Sequence, residues 1–162
     1  MLYHNRALIH SLAERPAMRP RRSRAREVAL QMLYQEDVNP RQSVEEIKEF
    51  VHARLQNEEL EAFCISLILG VKRNQDELDA MLSRTATNWA LDRMASTDRN
   101  LLRMGAFEIL YTETPERVAV NEAIELAKRF GSSQSAPFVN GILDKFITGD
   151  REQGSRNNDP HP

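Results

Sequence analysis

From Arg21 onward the apolar residues recur at three- and four-residue intervals, and no stretch alternates with the β-branched, aromatic character of a strand. That periodicity points to an all-α fold. The first helix is expected over about Arg21 to Glu36, with Ala25, Val28, Ala29, Met32 and Leu33 on one face and Asn39-Pro40 closing it. Ser43 and Glu46 have the spacing of a capping box and open a second helix that buries Val44, Ile47, Val51 and Leu55. A third helix, about Glu58 to Arg84, carries Leu60, Phe63, Leu67, Val71, Leu78 and Leu82. Trp89, Leu91 and Met94 then fit a connecting turn that covers the core.

A fourth helix is expected from about Thr97, where Thr97-Asp98 makes a capping start. Thr114-Pro115-Glu116 opens the fifth with a proline at its first helical position, and Gly131 ends it. The last begins near Ser132 or Ser135 and buries Phe138, Ile142, Leu143 and Phe146. Short connections force neighbours antiparallel, which predicts two small packed bundles and about six to seven helices in all. Gly105 and Gly141 interrupt helical patterns, and close helix approach is the expected reason for both.

Residues 1–17 and 150–162 lack sustained periodicity and are read as a flexible extension and tail around one helical domain, 18–149. Met18 precedes the arginine run and is a candidate translation start. No window approaches the run of about 18 apolar residues that a membrane helix needs, and polar residues occupy the place of a signal peptide's apolar stretch. A soluble, cytoplasmic protein is expected. The single cysteine, Cys64, excludes an intramolecular disulfide and a multi-cysteine zinc site.

Candidates for catalysis are few. Cys64 lies between Phe63 and Ile65 with no adjacent base, and a buried thiol is the expected reading. The four histidines have no metal-ligand spacing, and no glycine-rich phosphate loop or dinucleotide fingerprint occurs. Neither an enzyme nor a cofactor is expected.

Charge is more informative. Residues 1–26 carry seven arginines and one acid, a balance of +6, whereas the remainder carries −8. A polyanion suits the first part and a basic protein surface the second. The densest segment is Arg21-Arg22-Ser23-Arg24-Ala25-Arg26, whose guanidiniums sit where the helix dipole also attracts phosphate. Tyr34 on the same helix and Phe138 on the last are candidates to stack on unpaired bases, although by themselves both are expected as core residues.

The run from Arg21 through Glu27-Val28-Ala29-Leu30-Gln31-Met32-Leu33-Tyr34 resembles the opening helix of the NusB family of bacterial transcription antitermination factors. Val118-Ala119-Val120-Asn121-Glu122-Ala123-Ile124-Glu125-Leu126-Ala127-Lys128-Arg129-Phe130-Gly131, followed by Phe138-Val139-Asn140-Gly141-Ile142-Leu143-Asp144-Lys145, is similar to that family's C-terminal signature. Gly70-Val71 with Asn74, Leu78 and Asp79, then Trp89, then Asp98-Arg99 with Leu102-Arg103 and Glu108, fit in order between them. The resemblance covers about Arg21 to Thr148.

The resemblance implies two packed helical bundles without catalysis. It also implies binding of boxA-like single-stranded RNA of ribosomal RNA transcripts together with NusE, a ribosomal protein, within the RNA polymerase antitermination complex. By similarity the RNA contacts fall on Arg21, Arg22, Arg24, Arg26, Tyr34, Gln134 and Phe138, and the NusE contact on Glu108 and its flanks. Phe107 stands where the family commonly has tyrosine, Pro137 where a polar or basic residue is usual, and Gln134 at an often acidic position. Two other readings stay open: a protein-interaction module whose basic segment is merely solvated, and a NusB-like domain related to ribosomal RNA methyltransferases.

Overall fold

A computed structural model describes residues 19–40 and 42–156, with the backbone alone described for Arg19, Pro20 and 150–156. Among these residues the regular elements are helices: α1 Arg19–Val38, α2 Val44–Leu55, α3 Glu58–Arg73, α4 Gln75–Thr85, a 3-10 turn Leu91–Arg93, α5 Ser96–Tyr111, α6 Glu116–Phe130 and α7 Ser135–Arg156. Helices α1, α2 and α3 pack on one another, and α5, α6 and α7 do likewise, with α4 laid against α5 and α7. α5 also packs on α1 and α3, so it joins the two bundles. Its residues from Asn100 to Glu108 are all buried.

Local sequence explains several helix boundaries. The Glu46 N–H donates to Ser43 Oγ at 3.1 Å and the Ser43 N–H to Glu46 Oε2 at 3.1 Å, a reciprocal capping box that opens α2. Gln56 adopts a left-handed conformation at φ 48°, and Asn57 Oδ1 accepts from the Leu60 N–H at 3.1 Å to start α3. Gly131 ends α6 as expected, its N–H donating to the Ala127 carbonyl.

Four boundaries differ from expectation. The helix expected over Glu58 to Arg84 is two helices: the backbone leaves helical angles at Asn74 (φ −107°, ψ 13°), whose side-chain amide bonds back to the Gly70 carbonyl at 2.7 Å. α5 starts one residue earlier than Thr97, and Ser96 Oγ is spent on Asp37 rather than on a cap. Pro115 is the N-cap of α6 rather than its first helical residue. α7 continues to Arg156, inside the segment read as a tail, while residues 1–17 lie outside the described residues.

The core is continuous across both bundles. Val28 and Met32 of α1, Ile47 and Val51 of α2, Leu67, Ile68 and Val71 of α3, Leu78 and Leu82 of α4, Leu101 and Leu102 of α5 and Leu143 of α7 are all essentially inaccessible. Each such burial stabilises by about 1.5–3 kcal/mol relative to exposure. Cys64 is among them, and burial pushes its thiol up to about 12.

Close approach accounts for only one of the two singled-out glycines. A Cβ on Gly105 would lie 2.8 Å from Leu143 Cδ1, so alanine there would press α5 against α7. A Cβ on Gly141 would meet nothing within 4 Å. The tightest helix contact is instead at Gly70, where the Phe107 ring occupies the place of a side chain. Trp89, expected to cover the core, is 60% exposed, while Leu91 fills that role. Val44, at 42% exposure, is likewise outside the core.

Candidate nucleic-acid interface

The first turns of α1 present Arg21, Arg22 and Arg24 to solvent. The Arg22 guanidinium lies 4.9 Å from the Phe63 ring centroid, which braces its stem while leaving the residue exposed. Arg24 Nη1 pairs with Glu27 Oε1 at 2.8 Å, and the other oxygen of Glu27 accepts from Arg129 Nη1 at 3.1 Å. Two arginines thus share one carboxylate, and the basic surface continues from α1 onto the end of α6. Arg129 also lies 5.0 Å from the ring centroid of Phe130, which is 40% exposed. No local signal in the sequence points to Arg129 as a site residue; it joins the site through a contact 102 positions apart.

Two expected contact residues are turned inward. Arg26 is 3% exposed and Glu108 2%, and they form a two-point ion pair, Nε to Oε1 at 2.6 Å and Nη2 to Oε2 at 2.9 Å. Arg26 Nη1 also faces Glu122 Oε1 at 3.7 Å, and Ser23 Oγ lies 2.9 Å from each Glu122 oxygen. Arg26 is therefore an internal cation, not a surface phosphate ligand, and Glu108 is not exposed to a protein partner. The reason is helical phase: Arg26 lies four and seven positions before Leu30 and Leu33, on the stripe facing the core.

Gln134 and Phe138 do come together. They line an open cleft of about 1030 Å³ with Trp89, Arg93, Met94, Asp98 and Pro137. Trp89 meets Phe138 edge-to-face, with centroids 5.3 Å apart and planes at 77°. The approach to α7 is held by its serines, the Ser132 N–H donating to Ser135 Oγ at 2.9 Å and the Gln134 N–H to Ser132 Oγ at 3.3 Å. Asp98 Oδ1 is buried at this cleft without a hydrogen-bond partner among the described residues, leaving one acceptor unused.

Tyr34 is 48% exposed, with Val38 at 70% one turn further on. Thirteen residues separate it from Arg21, about 20 Å along the helix axis, so arginines and tyrosine occupy opposite ends of α1. Between Tyr34 and the cleft lies a polar joint. Asp37 Oδ2 accepts from Ser96 Oγ at 2.8 Å, Arg99 Nη2 at 2.9 Å and Asn100 Nδ2 at 2.9 Å. Arg103 reaches Asp79 at 2.7 and 2.8 Å. Burial raises the Asp37 carboxyl, but the hydrogen bonds from Arg99, Ser96 and Asn100 outweigh it and hold the group below the usual carboxylate value. Arg99 Nη1 also donates to the carbonyls of Leu91 and Met94, at 3.2 and 3.4 Å, anchoring the segment that carries Trp89.

Among the described residues no group of three His, Cys, Asp or Glu side chains is placed to hold a metal ion, and no helix is long and apolar enough to cross a membrane.

The NusB family model matches residues 23–148. The transcription antitermination protein NusB of Bacillus subtilis is 46% identical over 134 residues, spanning 82% of this chain and 98% of that protein. The solved structure of T. maritima NusB shares 32% identity at a TM-score of 0.73, covering 78% of this chain and 90% of that one. A crystal structure of the antitermination factors NusB and NusE in complex with dsRNA has the same fold, with 24% identity, a TM-score of 0.73 and coverage of 82% and 99%.

Proposed function

Because the chain belongs to the NusB family, we propose that it is a non-catalytic, cytoplasmic transcription antitermination factor that binds boxA-like single-stranded RNA of ribosomal RNA transcripts. It would do so together with NusE, within the RNA polymerase antitermination complex. The observation that carries the reading is the combination of exposed cations, Arg21, Arg22 and Arg24 on α1, with the half-exposed Tyr34 and the partly buried Phe138 beside Gln134 at the start of α7.

The arginines neutralise phosphates without reading sequence, which makes affinity salt-dependent. Phe138 and Tyr34 stack on unpaired bases, and Gln134 supplies both a donor and an acceptor to a base edge. Stacking needs bases that are free of a partner strand, so single-stranded RNA is the substrate class. NusE is supported as partner by family membership and by the −8 charge beyond residue 26, which complements a basic ribosomal protein. With Glu108 internal, that partner is proposed to meet other residues of the acidic surface.

The test is filter binding of a boxA-like RNA as a single strand and as a duplex. Tighter retention of the single strand is expected; equal retention of the duplex would remove base stacking from the account.

A further inference from the structure

Gly141 is a helical residue with no positive φ and open space where a side chain would stand, so neither backbone conformation nor packing accounts for it. Glycine is among the least favourable helix residues, and an exposed helix face would be better served by almost any other. What the vacancy does provide is room for another molecule's backbone to come close to the helix.

Its surroundings define that molecule. Phe138, Gly141 and Lys145 follow one another at three- and four-residue spacing on one face of α7. With Trp89, Thr87, Asn88 and Pro137 they line a second recess, about 200 Å³, which adjoins the cleft that holds Gln134. Trp89 is 60% exposed although it is the chain's sole tryptophan and a large apolar side chain. Lys145 is exposed and pairs with no group among the described residues. An open indole face, a gap over a glycine and a free ammonium group match the base, sugar and phosphate of one nucleotide.

We infer that Trp89, Gly141 and Lys145 form a further nucleotide subsite, which carries the single-stranded RNA past Phe138 and along α7. The base stacks on Trp89, the ribose crosses Gly141 and the phosphate meets Lys145. This rests on the RNA-binding reading above and extends its path beyond the residues assigned there.

The sole tryptophan makes the test direct. Its emission is followed while the full chain is titrated with boxA-like single-stranded RNA, and filter retention is measured on the same samples. Stacking predicts quenching that saturates with filter retention. Gly141→Gln, which fills the gap with a better helix former, is expected to weaken RNA binding roughly ten-fold while the melting temperature stays level or rises. Retained RNA with unchanged emission overturns the subsite and leaves the proposed function standing. So does Gly141→Gln binding as tightly as the parent chain, or emission that responds to added NusE and not to RNA, which assigns Trp89 to a protein contact. Absence of RNA retention by the parent chain removes the proposed function and the subsite with it.

Discussion

Arg26 holds both carboxylate oxygens of Glu108 across the α1–α5 contact, at 2.6 and 2.9 Å, with almost no access of water to either residue. Two ions with the sequence signature of surface recognition thus fasten one bundle to the other. Removing one partner strands a buried charge, so Glu108→Ala or Arg26→Ala should destabilise by about 3–5 kcal/mol. Urea denaturation of each variant checks this. The double replacement Arg26→Met with Glu108→Leu should recover much of the loss, and RNA affinity per folded molecule should change little.

The exposed arginines behave differently. Replacing Arg21, Arg22 and Arg24 by alanine should weaken RNA binding and flatten its salt dependence by about 0.7 in log–log slope for each phosphate no longer neutralised. Melting temperature should barely move, since none of the three is part of the core. Adding Arg26→Ala to this set should lower stability without a further change in slope. Binding isotherms at a series of salt concentrations, with thermal melts alongside, separate the two classes of arginine.

Tyr34 and Phe138 should each cost about 1–3 kcal/mol of RNA binding when replaced by alanine. Tyr34, half exposed, should do so without loss of stability. Phe138 is partly buried against the core and Trp89, so its variant should also melt earlier. A Tyr34→Ala chain that keeps full RNA affinity would remove α1's far end from the RNA path.

Asp37 gives the fold an acid-sensitive joint. Its carboxyl titrates below the unfolded value, so the charged form contributes stability above the unfolded pKa, and that contribution is lost as pH falls through the lower, folded pKa. The parent chain should therefore lose more stability on acidification from neutral pH to below about 4 than Asp37→Asn does. Urea midpoints across that range for both proteins measure the difference. Parallel curves would mean that Asp37 is not tied to Arg99, Ser96 and Asn100 in solution.

How much of this was readable from the chain depended on the range of the interaction. The Ser43–Glu46 capping box, the end of α6 at Gly131 and the buried stripe of α1 are local, and each appears where its spacing places it. The break at Asn74 was hidden because Val71, Leu78 and Leu82 keep helical phase across it, with no glycine or proline at the junction. Arg26 carried a readable clue in its phase with Leu30 and Leu33, but its charge and arginine neighbours pointed the other way. Its partner Glu108 is 82 positions distant. Gly105 and Gly141 have the same sequence signature, and only the approach of Leu143 distinguishes them. Gln134 and Phe138 lie four positions apart and line one cleft, which Trp89 joins from a loop that has no periodicity to disclose its direction.

Sequence-selective RNA binding assisted by NusE is read most directly from equilibrium binding to boxA-like and scrambled single-stranded RNA at near-physiological salt, with and without NusE. The expected result is preference for the boxA-like sequence, tighter binding when NusE is present, and, by linkage, tighter NusE binding when that RNA is present. Equal affinity for the two RNAs, unchanged by NusE, would rule out both boxA recognition and its reinforcement by NusE.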